Sequence, residues 1–197
     1  MTEVFLPPFS DGGFFFRFST EKRIFATLNK RLMELLDLYD KTLKKTGITI
    51  ERGQPIPYGY QIPIVAVLIH NDEGRFLIQK VAARKGNYYA TTAGHVQSGE
   101  TDFAQAMLRE LKEEIGLSVT KNELQLVKIR RYEYKFTFLY ILRCNIPVSM
   151  LRLQPDEVES VAWMTLDEIE ELCQQGLFNR THYRLIHDCV ENDFFAS

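Results

Sequence analysis

The chain has 197 residues, of which 45% are hydrophobic and 25% charged, with a formal net charge of −2, a size that suits one globular domain with an extension rather than two full domains. So small a net charge exerts no general pull on nucleic acid, and no apolar run approaches the length of a membrane-spanning helix. The three cysteines, Cys144, Cys173 and Cys189, show neither metal-ligand spacing nor an even-numbered framework, and the N-terminus lacks a basic segment followed by an apolar one, so reduced thiols in a cytoplasmic protein are expected.

Residues 1 to 33 read as an N-terminal extension. Pro7-Pro8 and Asp11-Gly12-Gly13 break the chain, Phe14 to Phe18 is a short aromatic run with strand character, and Ser19 or Thr20 would cap a helix through Met33. The segment carries no chemistry and is read as packed on its own domain, with a homodimer contact or a lid as the functional alternative. From Glu34 the pattern turns to strands. Leu35 to Tyr39 and the alternating Ile48-Thr49-Ile50 predict a hairpin with its turn around Lys44 to Gly47. Ile62 to Ile69 is a nearly continuous β-branched run, as expected for a strand covered on both faces. Asn71 to Gly74 is a turn signal, so Arg75 to Val81 is expected to pair back as a second strand. Lys80, Arg84 and Lys85 follow, either as cations for a diphosphate or as solvated loop charges.

The densest chemistry lies between Gly94 and Leu117. Glu110, Glu113 and Glu114 are spaced i, i+3 and i+4, and on a helix turning by about 100° per residue all three fall on one stripe. Ala104, Met107, Leu108, Leu111 and Ile115 form a neighbouring apolar stripe, with Arg109 and Lys112 turned away from it. Asp102 with Gln105 predicts a capping box. Like charges one turn apart repel by about a few tenths of a kcal/mol per pair. The cluster therefore calls for a cation, and a hard divalent ion, Mg²⁺ or Mn²⁺, would also hold phosphate oxygens. A solvated glutamate face is the plain alternative.

Leu124 to Cys144 reads as one long strand with Tyr132, Tyr134, Phe136, Phe138 and Tyr140 on one face. Such a face serves packing more often than base stacking. Thr165 with Glu168 predicts the capped start of a helix to about Gln174. Residues 177 to 197 read as a final helix, on which His182 and His187, five apart, lack ligand spacing and are read as structural.

The stretch from Gly94 resembles the Nudix box: a glycine, five residues, a glutamate, seven residues, then Arg-Glu-aliphatic-x-Glu-Glu-x-Gly-aliphatic. Gly94 and Glu100 match the first part and Arg109 to Leu117 the second, but eight residues, Thr101 to Leu108, separate the two. With Asp102 as the cap, the extra residue falls in the loop at Thr101 and leaves the helix intact, so Glu100 must reach its partner from a longer loop. The resemblance covers roughly residues 34 to 175. Asp37-x-Tyr39-Asp40, Gly47 and Arg52-Gly53 are similar to a segment of one bacterial subgroup. Tyr134 lies near a tyrosine of the diadenosine polyphosphate hydrolases, and Asp156-Glu157-Val158-x-x-Val161-x-Trp163 resembles the last strand of many members.

This resemblance implies an α/β fold, a Nudix-type α/β/α sandwich with a mixed central sheet, in a domain from 34 to 197. It implies a metal-dependent hydrolase that cleaves the diphosphate linkage of a nucleoside diphosphate joined to another group, a small-molecule substrate, with no organic cofactor. Glu110, Glu113, Glu114 and the Gly94 carbonyl would be metal ligands, and one of the glutamates or Glu157 the general base. Arg109 would orient Glu110 or Glu100, and Lys80, Arg84 and Tyr134 would contact substrate. Two alternatives accompany it. Thr92-Ala93-Gly94-His95 is similar to a loop of the isopentenyl-diphosphate isomerases, but Thr92 and Ala93 stand where those enzymes place a catalytic cysteine. A non-catalytic nucleotide-sensing domain is the other, though the complete carboxylate set weighs against it. No motif of the coenzyme A or NADH subgroups is present, and Tyr132 occupies the proline position that marks the ADP-ribose subgroup.

Overall fold

A computed structural model describes residues 34–195. The strand and helix expected within residues 1 to 33 lie outside the described residues, as do the last two residues of the expected final helix. The described chain opens with β1 (Leu35–Tyr39) and β2 (Lys45–Glu51), an antiparallel pair. Their turn is Asp40 to Lys44, earlier in the chain than the Lys44 to Gly47 turn that the glycine suggested. The Asp40 carboxylate accepts from the Thr42 and Lys44 N–H groups at 2.7 and 3.1 Å, closing the turn without glycine. Gly47, with φ of 82°, sits inside β2 opposite the point where the register slips between Asp37 and Tyr39, and so serves a bulge.

β3 (Ile62–His70), β4 (Phe76–Val81), β5 (Tyr89–Ala90), β6 (Thr92–His95), β7 (Gln125–Arg131), β8 (Lys135–Arg143) and β9 (Val158–Met164) form one sheet. Its path is β5-β4-β3-β8-β7, with β6 also on β3 and β9 on β4. β3 and β8 run parallel from Ile62↔Lys135 to His70↔Arg143 while the other pairs are antiparallel, so the sheet is mixed. The expected β3–β4 hairpin is registered only at His70↔Phe76. Beyond it β4 turns to β9, and β6 takes its place along β3 from Val67↔Thr92 to Ile64↔His95. The sheet thus opens between β6 and β4.

The long strand expected from Leu124 to Cys144 is two strands, β7 and β8, closed by a turn in which the Tyr132 N–H donates to the Lys135 carbonyl at 2.8 Å. No glycine or proline marks that turn. Its carbonyls are instead capped from afar, the Gln61 amide donating to the Tyr132 carbonyl. Tyr132 and Tyr134 therefore leave the face that Phe136 and Tyr140 share in the core, and Tyr134 is 40% exposed.

Three helices complete the described residues: α1 (Phe103–Glu114), α2 (Leu166–Gln174) and α3 (Arg180–Glu191). The Asp102 carboxylate caps α1 by accepting from the Ala104 and Gln105 N–H groups, and Thr165 with Glu168 forms the capping box of α2. Strand alternation sends Val65, Val67 and Ile69 toward Met107, Leu111 and Ile115 of α1. It sends Ala66, Leu68, Leu139 and Ile141 toward Ile169 of α2 and Leu185 and Ile186 of α3. Each large aliphatic side chain so buried contributes about 1.5–3 kcal/mol, and the result is an α/β/α sandwich. Among the described residues no helix is long and apolar enough to cross a membrane.

Candidate active site

The opening between β6 and β4 is the mouth of a cavity of about 840 Å³, lined from one side by α1 and from the other by strand ends and α3. Glu110, Glu113 and Glu114 all reach it, as the i, i+3, i+4 spacing requires. Gly94 is why they can. A Cβ built on Gly94 would lie 2.1 Å from the Glu110 carboxyl carbon, so the missing side chain lets Glu110 rest against β6. Glu110 is only 9% exposed.

Arg109 ties the cluster together. Its guanidinium donates to both Glu100 oxygens at 2.8 and 3.0 Å, to Glu110 at 2.7 Å, to Glu113 at 3.2 Å and to the His95 carbonyl at 3.0 Å. Burial opposes its charge, yet the carboxylates of Glu100 and Glu110 outweigh this and hold its pKa above the usual arginine value. Glu100 thus reaches its partner despite the extra residue, and it also accepts from the Gln97 N–H at 2.8 Å. Its pKa falls because Arg109 and the Gln97 N–H overcome the cost of burial.

The loop that carries Glu100 has a support that the sequence did not disclose. Asp37 of β1, 3% exposed, accepts from the Ser98 hydroxyl at 2.9 Å and the Gly99 N–H at 3.0 Å, and pairs with Lys45 at 2.6 Å. The β1–β2 hairpin therefore braces the extended loop. The signal available was the Asp37-x-Tyr39-Asp40 pattern alone.

Burial raises the pKa of Glu110, with Arg109 pulling it back. Burial pushes Glu114 up to about 8, and the Glu110 charge adds to it, although the Gln79 amide donates to Glu114 at 3.2 Å while bonding Thr92 at 2.7 Å. Three carboxylates converge here with a single guanidinium among them. That donor set, all hard oxygens held in a half-open wall, fits a divalent cation, which would relieve both the desolvation and the mutual repulsion.

The remaining expected residues divide. Glu157 and Tyr134 line the cavity, and Glu157 pairs with Lys85, which lines it as well. Lys80 and Arg84 do not line it. Lys80 pairs with Glu159 at 2.7 Å, and Arg84 donates to the Asp156 carbonyl at 3.0 Å and pairs with its carboxylate at 3.1 Å. Lys80 is thus held by β9 and Arg84 by the loop before it, rather than by the site. Conversely His182, read as structural, lines the cavity, as do Arg52, Lys135 and His95. Burial, and next the Arg52 charge, drives His95 down to about 4, so it is neutral near pH 7. Arg52 itself pairs with Glu34 at 2.7 Å. His187 remains outside, 3.4 Å from Glu191 on the surface of α3.

Known proteins resemble the chain in sequence and in fold. A family model described as the NUDIX domain matches residues 60–189. An uncharacterized Nudix hydrolase of Listeria innocua is 32% identical over 150 residues, covering 74% of this chain and 88% of its own. A crystal structure of a Deinococcus radiodurans protein superposes with a TM-score of 0.65 at 22% identity, over 79% of this chain and 99% of that one. A bifunctional NMN adenylyltransferase/ADP ribose pyrophosphatase from Francisella tularensis, solved with AMP and a manganese ion, superposes with a TM-score of 0.54 at 21% identity, over 67% of this chain and 42% of that one. At these identities the two structures speak to the fold alone.

Proposed function

The chain belongs to the Nudix family of pyrophosphohydrolases, and from that premise we propose that it hydrolyses the phosphoric anhydride of a nucleoside diphosphate joined to another group, using Mg²⁺ or Mn²⁺. The observation that carries the proposal is the convergence of Glu110, Glu113 and Glu114 on one cavity wall, with Arg109 joining Glu110 to Glu113 and Gly94 making room for Glu110. These three carboxylates with the Gly94 carbonyl would hold the metal. Bound there, the cation supplies positive charge to the phosphoryl oxygens and acidifies the attacking water.

The chain's own residues do the rest. Arg109 fixes Glu110 and Glu113 by charge-assisted hydrogen bonds, and Glu100 fixes Arg109. The Gln79 amide holds one oxygen of Glu114, which sets the direction of the other. As water oxygen bonds to phosphorus, the anhydride P–O bond breaks and the leaving phosphate takes the electron pair. The proton of the water passes to one of the three glutamates or to Glu157, which pairs with Lys85 at the cavity wall. Tyr134 offers an aromatic surface at the mouth.

The intact Glu100–Arg109 pair supports a hydrolase over a non-catalytic sensor, whose best support was a Glu100 displaced by the longer loop. Thr92 is buried and bonded to Gln79, and neither it nor Ala93 is an acid that could protonate an alkene, as an isomerase would require. The brace from Asp37 supports counting residues 34 to 59 within the domain, with residues 1 to 33 as its extension. Three free cysteines are in keeping with a cytoplasmic protein. The test is a release assay over a panel of nucleotide-linked diphosphates with Mg²⁺ or Mn²⁺ against EDTA. Metal-dependent release of a nucleotide is expected, and no release from any of them contradicts the proposal.

A further inference from the structure

Among the described residues four strong cations line the cavity: Arg52, Lys85, Arg109 and Lys135. The first three are spoken for, by Glu34, by Glu157, and by Glu100 with Glu110 and Glu113. Lys135 has no carboxylate partner among the described residues. It stands at the first residue of β8, opposite Ile62 in the parallel register, with its ammonium 5.3 Å from the centre of the Tyr132 ring. Side chains at paired positions share a sheet face. Ile62 and Lys135 therefore lie on one face with Ile64 and His95, while Gly94 and Val65 lie on the other, where α1 packs.

On the same face as Lys135 stands His182, whose placement is built rather than incidental. Leu177 to Asn179 is laced to β5, the Tyr89 N–H donating to the Leu177 carbonyl and the Asn179 N–H to the Tyr89 carbonyl, both at 2.8 Å. The Asn179 side chain then caps α3 through the Thr181 and His182 N–H groups. The His182 Nδ1 accepts from the Thr91 N–H at 3.2 Å. A backbone N–H can only donate, so Nδ1 carries no proton and the ring presents Nε2–H as its donor. Lys135 is close enough for its charge to bear on His182. Lys135 and the His182 Nε2–H thus offer donors without an acceptor among the described residues, across the cavity from a wall of carboxylates.

Resting on the hydrolase reading above, we propose that Lys135 and His182 form an anion subsite that holds the substrate phosphate lying away from the carboxylate cluster. The arrangement divides the labour of a diphosphate site. Carboxylates with a metal take one phosphate, and a fixed ammonium with a neutral imidazole donor takes the other, so the diphosphate lies across the opening between β6 and β4. Lys80 and Arg84, already paired to acids, take no part.

The probe is inorganic pyrophosphate added to the whole chain in EDTA, where metal-mediated binding is removed and melting temperature reports occupancy. Pyrophosphate should raise the wild-type melting temperature. Lys135→Gln should weaken that binding about tenfold, the scale of one charge-assisted contact. Lys135→Arg should keep most of it, and Lys80→Gln all of it. Melting of each variant without pyrophosphate separates lost binding from a lost fold, and the arginine variant keeps the test informative if the glutamine variant fails to fold. On the best substrate of the diphosphate panel, Lys135→Gln and His182→Phe should raise KM with kcat little changed. A wild-type chain indifferent to pyrophosphate, or a Lys135→Gln variant stabilised as well as wild type, overturns the subsite. Pyrophosphate binding that depends on Lys135 in a chain that hydrolyses nothing supports the subsite and removes the hydrolase reading instead.

Discussion

The two walls of the cavity are assembled in opposite ways. The carboxylate wall is written within one helix and its loop: Glu100, Arg109, Glu110, Glu113 and Glu114 lie within fifteen residues of sequence, and Glu100, Glu110 and Glu113 meet the Arg109 guanidinium at 2.7–3.2 Å. The facing wall draws Arg52, Lys85, Lys135 and His182 from four segments spread over most of the described chain. Helix geometry fixes the first wall whatever the rest of the fold does. The second exists only because β4 leaves β3, β8 starts where it does, and α3 is tied to β5. In the proposed function the first wall would set the chemistry, and the second would set which substrate reaches it.

The comparison can be broken most severely where the two walls meet, at Gly94. In Gly94→Ala the new methyl would fall 2.1 Å from the Glu110 carboxyl carbon and must push it off the strand. Overpacking of this kind costs about 1–3 kcal/mol of stability. A displacement near 1 Å costs on the order of 10²-fold in turnover. Steady-state kinetics on the best substrate should show that loss while circular dichroism shows the fold retained, and undiminished turnover would mean that Glu110 does not work from its seat on β6.

A smaller effect is expected at Glu100, which touches the carboxylate wall only through Arg109. Glu100→Ala leaves Arg109 bonded to Glu110, Glu113 and the His95 carbonyl. Turnover should fall about tenfold, roughly 1.4 kcal/mol of transition-state stabilisation. A loss as large as that of a metal-ligand glutamate would show that the longer loop has given Glu100 a more direct part.

The smallest effect is on stability and separates the walls by pH. Glu114, raised to about 8 chiefly by burial, keeps its proton in the folded chain above the value near 4.5 at which it loses it when unfolded. The folded state then holds the extra proton, so stability falls as pH rises toward 8. His95 and His182, both pushed down to about 4 by burial, act oppositely, adding stability as pH rises to about 6.5 and nothing beyond. Between pH 7 and 8, therefore, the metal-free protein should melt at progressively lower temperature, and Glu114→Gln should flatten that slope. A wild-type slope of the opposite sign would mean that Glu114 is ionised without metal.

The same contrast explains what could be read in the sequence. Helix α1, its Asp102 cap and the Thr165–Glu168 box were legible because each rests on residues within a turn or two of one another. The placement of the extra residue at Thr101 was legible for the same reason, and the helix stayed whole. Two turns were misplaced for different reasons: Gly47 suggested a turn that the Asp40 side chain makes locally, and the Tyr132–Lys135 turn, closed with the help of Gln61 from far along the chain, carries no turn residue at all. Lys80 and Arg84 look like phosphate cations until β9 brings Glu159 and the loop before it brings Asp156. Lys135 and His182 gave no signal, since each acquires its neighbours from strand register and from the lacing of α3 to β5.

The central claim is that the α1 carboxylates are a metal-dependent catalytic wall. Glu113 tests it most directly because it is the most exposed of the three and is bound to the rest of the wall by one Arg109 contact at 3.2 Å, so its replacement disturbs the fold least. The measurement is turnover of the best panel substrate by wild type and Glu113→Gln across a titration of Mg²⁺. The account predicts release that rises with metal in the wild type and a loss of about 10²–10³-fold in the variant, the cost of leaving transition-state charge unneutralised. Turnover by Glu113→Gln equal to wild type, or a tightly bound nucleotide that survives hours with wild type and Mg²⁺, would contradict it.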